Sequence, residues 1–331
     1  MKGANRKLFI LAALAVCCLA LAPFLGAVII NPLEAFDSGS PENLIFWRLR
    51  LPRAIGAFLA GAGLSICGLA FQALFRNPLA TPFTLGISSG AALGASVYLR
   101  LGAAASFIGL AGNLVSALMG CLLSMILVYA ITRARGGFST AVMLLAGVII
   151  NFFFSSLVMY VQYMSNAHDA AQIMRWLMGT LSGIDSSRLW EMAIAVLLGL
   201  ALFSRMGPEL DLLTAGEEIA ASRGVDVSRV KLLIFIVASV VVGIIVSVTG
   251  PIGFVGMMIP QICRLWLGYG HGPLVPASFF MGGGFLVLCD LLARSVLAPA
   301  ELPIGILTSM LGAPFFLWTL FRGNRAGELN Y

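Results

Sequence analysis

Few residues in this chain could do covalent chemistry, and their spacing argues against it. Ser88 and Ser89, in GISSG at 86–90, could supply a nucleophile for intramembrane proteolysis, but a serine needs a base to take its proton. The two histidines, His168 and His271, fall in connections on opposite faces of the expected topology. The serines therefore read as small residues at a helix contact. The six cysteines, at 17, 18, 67, 121, 263 and 289, lie in or at the ends of apolar runs without a CxxC pair. They read as buried small hydrophobes, not as disulfides. Scattered cysteines and two distant histidines offer no ligand cluster. No catalytic residue and no metal site is expected.

Ionisable groups tell the same story about energy coupling. Ion-coupled secondary transporters place such groups at mid-membrane, whereas the candidates here, Glu191, Arg264 and Asp290, sit near the ends of apolar runs. The sequence contains no GxxxxGK[ST], and its three lysines fall at 2, 7 and 231. A phosphate-cradling loop is thus missing. If ATP drives this protein, the ATPase is another chain.

The elements that must position these residues are membrane spans. Of 331 residues, 60% are apolar and 10% charged, with a mean hydropathy of +1.00, far from the roughly 25% charged of soluble domains. Apolar runs near 8–30, 54–75, 83–99, 106–131, 141–164, 189–204, 232–249, 252–268, 274–293 and 302–321 approach the ~20 residues that cross a bilayer core. This predicts an all-α integral membrane protein of about ten helices, a single domain over 1–331. The 37 glycines suit close helix packing. The first run is long for a signal peptide and reads as a span.

Basic residues set the orientation, because cytoplasmic loops collect them. With the N-terminus inside, residues 2, 6, 7, 76, 133, 135, 205, 223, 229, 231, 264, 322 and 325 face the cytoplasm, and 48, 50, 53, 100, 175, 188 and 294 face out. Thirteen against seven predicts both termini cytoplasmic. The positive charge is therefore a matter of topology and implies no nucleic acid.

Three connections stand out. In FQALFRNPLATPFTLG (71–86), Pro78 and Pro82 interrupt the helix, which predicts a cytoplasmic turn. AAQIMRWLMGTL (170–181) is too short to span and predicts a short helix lying at the outer surface or dipping back into it. Residues 207–231 form the longest hydrophilic segment. There Pro208 suits a first helical turn, and a second short helix runs from Glu217 to a stop at Gly224. Two short helices exposing Leu212, Leu213, Ile219, Ala220 and Ala221 would make a docking knob; the alternative is a solvated loop. Finally, Arg48, Arg50 and Arg53 crowd the face that should be poor in positive charge.

Taken together, RLRLPR (48–53), the stretch 61–95, GEEIAASRGV (216–225), GPIGFVGMMIPQICR (250–264) and DLLARSVLAPAELPIGILTSMLGAPFF (290–316) resemble the FecCD-type permeases of ABC importers for iron-siderophores, haem and cobalamin. The segments occur in the family's order over nearly the whole chain. One departure is Gln261, where members commonly carry histidine.

The resemblance implies ten helices, two permease subunits around one pathway (a homodimer), two cytoplasmic ATPases that carry ATP and Mg, and an external substrate-binding protein, in a bacterial inner membrane. No cofactor is expected on this chain. It implies ATPase coupling through the 207–231 segment, with Leu212, Leu213, Gly216, Glu217, Glu218, Ala220, Ala221 and Gly224. Asn77 and Leu79 would form a cytoplasmic gate opposite Ser139 and Thr140. Arg50, Arg53 and Arg294 would receive acidic residues of the binding protein; otherwise they snorkel, and Arg294 pairs with Asp290. The cargo implied is an iron chelate, with haem or cobalamin as the alternative.

Overall fold

Apolarity dictates helices here, since backbone groups in lipid must be satisfied within the segment. The computed structural model describes residues 2–26, 28–37, 39–101, 112–135, 139–298 and 300–326, and no strand occurs among them. In chain order the helices are α1 Lys2–Leu21, α2 Pro32–Ala35, α3 Pro41–Ile45, α4 Leu51–Phe75, α5 Ile87–Leu101, α6 Gly112–Ala134, α7 Thr140–Tyr163 and α8 Ala167–Leu177. There follow α9 Ser186–Arg205, α10 Gly207–Ala215, α11 Glu217–Ser222, α12 Val227–Thr249, α13 Val255–Leu267, α14 His271–Ala293 and α15 Ile304–Ala326. A π-helical turn, Phe46–Arg50, joins α3 to α4, and a 3₁₀ turn, Pro82–Leu85, precedes α5.

Each of the ten expected spans coincides with one of these helices. Among the described residues, six helices are long and apolar enough to cross a membrane, α3–α4 counted as one, and Val255–Leu267 and Ile304–Thr319 are shorter apolar stretches of helix. The first span is corrected: α1 ends at Leu21, not at residue 30, because Pro23 disfavours helix in the residue before it. Residues 106–111 of the fourth expected span lie outside the described residues.

Helix α4 is the axis of the bundle. Its best apolar window is 89% buried against 22% for α6, so α4 is wrapped by protein while α6 turns most of its surface outward. It packs on α14, α12, α13 and α9. Small residues allow this: a Cβ on Gly61 would overlap the Gly282 carbonyl of α14, and one on Gly68 the Gly256 carbonyl of α13. Phe58 and Phe279 meet edge-on across α4 and α14, ring centroids 5.5 Å apart.

The short helices cap the two ends of the bundle. Helix α8 buries Ile173 and otherwise lies at the surface. Helices α2 and α3 were not foreseen; Asn31 and Ser40 cap them, each followed by proline. Helix α10 sits at the opposite end from Arg53, against α4 and the N-terminal end of α14, and α11 packs on α10 and α12.

Candidate functional site

At the Arg53 end, three arginines converge from far along the chain. Arg53 Nε donates to Asp290 Oδ1 at 2.8 Å, and its Nη1 donates to both Glu301 oxygens at 2.9 Å. Ser182 Oγ donates to Glu301 Oε2 at 3.0 Å. Arg294 lies one turn after Asp290, Nε to Oδ2 3.6 Å, and donates through Nη2 to the Ala22 carbonyl. Arg50 donates to the carbonyls of Pro23 at 3.2 Å and Val28 at 2.6 Å. Arg50 and Arg294 thus satisfy carbonyls that follow the end of α1, where helical donors have run out.

The arginines expected at a docking face are brought together, but they are turned inward. The Arg53 side chain is 15% exposed and Arg294 8%, whereas the Glu301 side chain is 46% exposed. Three guanidiniums face two carboxylates, so the cluster keeps a net positive charge. Partial burial pushes the Glu301 carboxyl up, but the Arg53 guanidinium outweighs it, with help from Ser182 and Arg294, and holds it below its ordinary range. A cavity of about 400 Å³ opens beside the cluster, its wall shared between the polar Arg53, Arg175, Ser182, Asp290 and Glu301 and apolar residues such as Trp176 and Leu302.

A second cavity, of about 520 Å³, carries no charged side chain. Phe83, Leu177, Met178, Ile306, Ser309 and Met310 line it together with Pro251, Gly253 and Gly305. Three segments meet here through their backbones: Thr180 N donates to Thr249 O at 2.8 Å, and Gly305 N to Met178 O at 3.1 Å. Residues 250–254 are not helical, and Phe254 takes φ 66° at the start of α13, an outlier for a bulky residue. Irregular backbone at membrane depth is tolerated where it lines a cavity.

The turn at 76–81 is built by local chemistry. Arg76 ends α4 in the left-handed region, φ 48°. Asn77 Oδ1 accepts from Leu79 N at 2.9 Å, leaving Leu79 55% exposed. Ser139 precedes α7 as its N-cap residue and Thr140 is the first residue of that helix. Helix α7 packs on the 3₁₀ turn Pro82–Leu85 that follows the Asn77 turn, with Gly147 against Thr84 and Leu85.

At the other end, α10 and α11 form a step around Gly216, whose φ 140° and ψ 147° are open essentially to glycine alone. Gly224 has φ 84°. Val225 N donates to Ala220 O at 3.1 Å and Gly224 N to Ala221 O at 3.0 Å, the paired bonds of a Schellman stop. Leu213 and Ala220 are corrected from the exposed knob surface: they are 1% and 0% exposed. They form the inner face that holds the short helices to the bundle, while Ile219 and Ala221, with the polar Glu218, remain outside.

Two side-chain pairs anchor the step: His271 Nδ1 lies 2.6 Å from Asp211 Oδ1, and Lys231 Nζ forms an ion pair with Glu217 Oε2 at 2.5 Å. A third polar link ties α13 to α4, Arg264 Nη1 donating to Gln72 Oε1 at 2.5 Å and to Gln261 Oε1 at 3.2 Å. Gln261 thus serves as an acceptor for Arg264. Sequence reasoning missed all three pairs as pairs. Their partners stand 60 and 192 residues apart at Asp211–His271 and Gln72–Arg264, and no local spacing reports them.

Irregular backbone around an uncharged cavity, inside a glycine-packed helical bundle with a two-helix step at one end, defines a membrane permease. The chain belongs to the FecCD transport family, whose model matches residues 12–322. It is 42% identical over 289 residues to the uncharacterized ABC transporter permease protein YvrB of Bacillus subtilis, covering 86% of this chain and 80% of that one. It is 39% identical over 285 residues to the vitamin B12 import system permease protein BtuC of Klebsiella pneumoniae (86% and 85%). The hemin transport system permease protein HmuU of Yersinia pestis is 36% identical over 279 residues (84% and 83%). Among solved structures, an inward-facing metal-chelate type ABC transporter superposes with a TM-score of 0.84 at 29% identity, covering 96% of this chain and 99% of that one.

Proposed function

We propose that this chain is the translocating subunit of an ATP-driven importer of a metal chelate, with a ferric siderophore as cargo. The observation that carries the reading is the α10–α11 step, an ordered pair of short helices fixed to the bundle by a buried inner face and offering Ile219 and Ala221 outward. Such a step has the form of a plug for a groove on a cytoplasmic ATPase, which would hold ATP and Mg. Two copies of the chain would enclose the pathway, and the uncharged cavity would form part of each wall. An apolar lining holds a bulky chelate loosely, which suits transit better than storage.

Alternating access follows from rigid bundles rocking about a fixed site. Asn77, Leu79, Ser139 and Thr140 would close the pathway at the ATPase end. At the opposite end, an external binding protein would dock over the arginine cluster. Its acidic side chain would take the place of Glu301, the exposed partner, on Arg53 Nη1. Cobalamin is the second reading, favoured by the 39% identity to the Klebsiella pneumoniae vitamin B12 permease.

The docking surface is tested by Ile219→Asp with Ala221→Asp. The pair should abolish co-purification of the ATPase while the permease still inserts and extracts normally. Undiminished co-purification would refute the ATPase-docking reading.

A further inference from the structure

Helix α14 begins without a cap of its own. Its N-cap residue is Gly270, which offers no side-chain acceptor, although the first turn of any helix leaves backbone N–H groups without partners. The missing acceptor comes from another element. Asp211 of α10 accepts from the His271 backbone N at 2.8 Å with Oδ1, and the same oxygen lies 2.6 Å from His271 Nδ1. A carboxylate at a helix N-terminus also complements the helix dipole. The imidazole is 2% exposed, so the bond is shielded, while the Asp211 side chain is 46% exposed on the ATPase side.

At its far end α14 carries Asp290, bonded to Arg53 of α4. Between the two ends, α14 lies against α4 at backbone contact, Gly282 over Gly61 and Ser65. The 23 residues of α14 span about 34 Å at 1.5 Å per residue, so one helix connects the step to the arginine cluster. Helix α11 is anchored elsewhere, through Glu217 to Lys231 of α12. The two helices of the step therefore pull on different spans, separated by the Gly216 break.

We propose that His271 is a positioning residue for transport: through Asp211 it latches α10 to α14, so that movement of the step is delivered along the α4–α14 pair to the opposite face. This deepens the reading of α10–α11 as the ATPase-docking step and rests on it. Helix α10 cannot move apart from α14 without removing the cap of α14, which is what makes the pair a transmitting contact.

A contact that carries movement from the step to the arginine cluster also carries it back, so docking of the external protein should reach the ATPase by the same route. The test uses the full transporter in nanodiscs, with the unloaded binding protein as probe and ATP hydrolysis as readout. For His271→Ala and for Asp211→Ala, ATPase co-purification should stay normal and basal hydrolysis should stay within about twofold of wild type. Stimulation by the binding protein should fall about tenfold, as expected for losing a coupling contact. His271→Asn, whose amide keeps an N–H donor near the Nδ1 position, should restore most of it.

Unchanged stimulation in both alanine variants overturns the latch, as does an asparagine variant no better than alanine. Should His271→Ala not fold, Asp211→Ala decides alone, because it removes both the bond to the imidazole and the bond to the His271 backbone N–H by truncating a side chain that is 46% exposed. Failure of the underlying docking reading looks different. It shows as undiminished ATPase co-purification in the Ile219→Asp, Ala221→Asp variant, whatever His271 does.

Discussion

Arg53 Nη1 sits 2.9 Å from both carboxylate oxygens of Glu301, while the same side chain's Nε is taken by Asp290. The two carboxylates are not equivalent: the Asp290 side chain is 3% exposed and that of Glu301 46%. Asp290 is the buried counter-charge that folding requires. Glu301 is the replaceable one.

Glu301→Gln should therefore free the outward half of Arg53 without disturbing Asp290. Docking of the external binding protein should strengthen by a factor of a few at low salt, chiefly through faster association. The gain should vanish as salt screens the charges. Surface plasmon resonance on nanodiscs at two salt concentrations measures it, and weaker docking in the variant would contradict the displacement scheme. Asp290→Ala, by contrast, leaves Arg53 partly unpaired in a buried setting, a loss of about 3–5 kcal/mol for a broken buried pair.

The same pair gives a pH signature. Glu301 is held below its ordinary range by Arg53, so its contribution to stability is complete above the unfolded-state pKa and is lost as pH falls through the folded-state value. Thermal unfolding in detergent should show wild type more stable than Glu301→Gln at neutral pH. The difference should shrink to nothing on the acid side of the carboxylate range. A difference that grew with acid would reverse the sign of the argument.

Gly224 offers a probe of the step's own architecture. Its φ of 84° puts a side chain at a cost of about 1–2 kcal/mol, more awkward for a β-branched residue. Nothing crowds the position, since no atom lies within 4 Å of a Cβ built there. Gly224→Val should thus act through the backbone alone, loosening the Schellman stop of α11. The variant should insert normally, yet co-purify less ATPase and transport more slowly. Wild-type behaviour on both measures would remove α11 from the coupling path.

How much of this was readable beforehand depends on the range of the signal. The spans were legible because uninterrupted apolarity is a local property, and the Gly224 stop because one glycine after a short helical pattern is enough to suggest it. The end of α1 was misplaced although Pro23 marked it, since the apolar run continues to Ile30 and hydropathy alone cannot separate helix from apolar loop. Leu213 and Ala220 were put on the wrong face because helices as short as α10 and α11, nine and six residues, offer too few turns to reveal which side is buried. Arg50, Arg53 and Arg294 were found by their crowding. The pairing of Arg294 with Asp290, one turn apart, was legible as an alternative, but that Arg53 is spent on Glu301 was not, because the two lie 248 residues apart and only the fold brings them together. The Asp211–His271 latch was hidden for the same reason.

The most direct measurement is uptake into proteoliposomes holding this chain and its ATPase, with the binding protein outside and ATP within. Radiolabelled ferric siderophore, haem and cobalamin would be offered in turn. The account predicts that one chelate accumulates, that the ferric siderophore is the one, and that accumulation stops when ATP is omitted or the permease is left out. Accumulation driven by a proton or sodium gradient without ATP, or no ATP-dependent accumulation of any of the three, would contradict it.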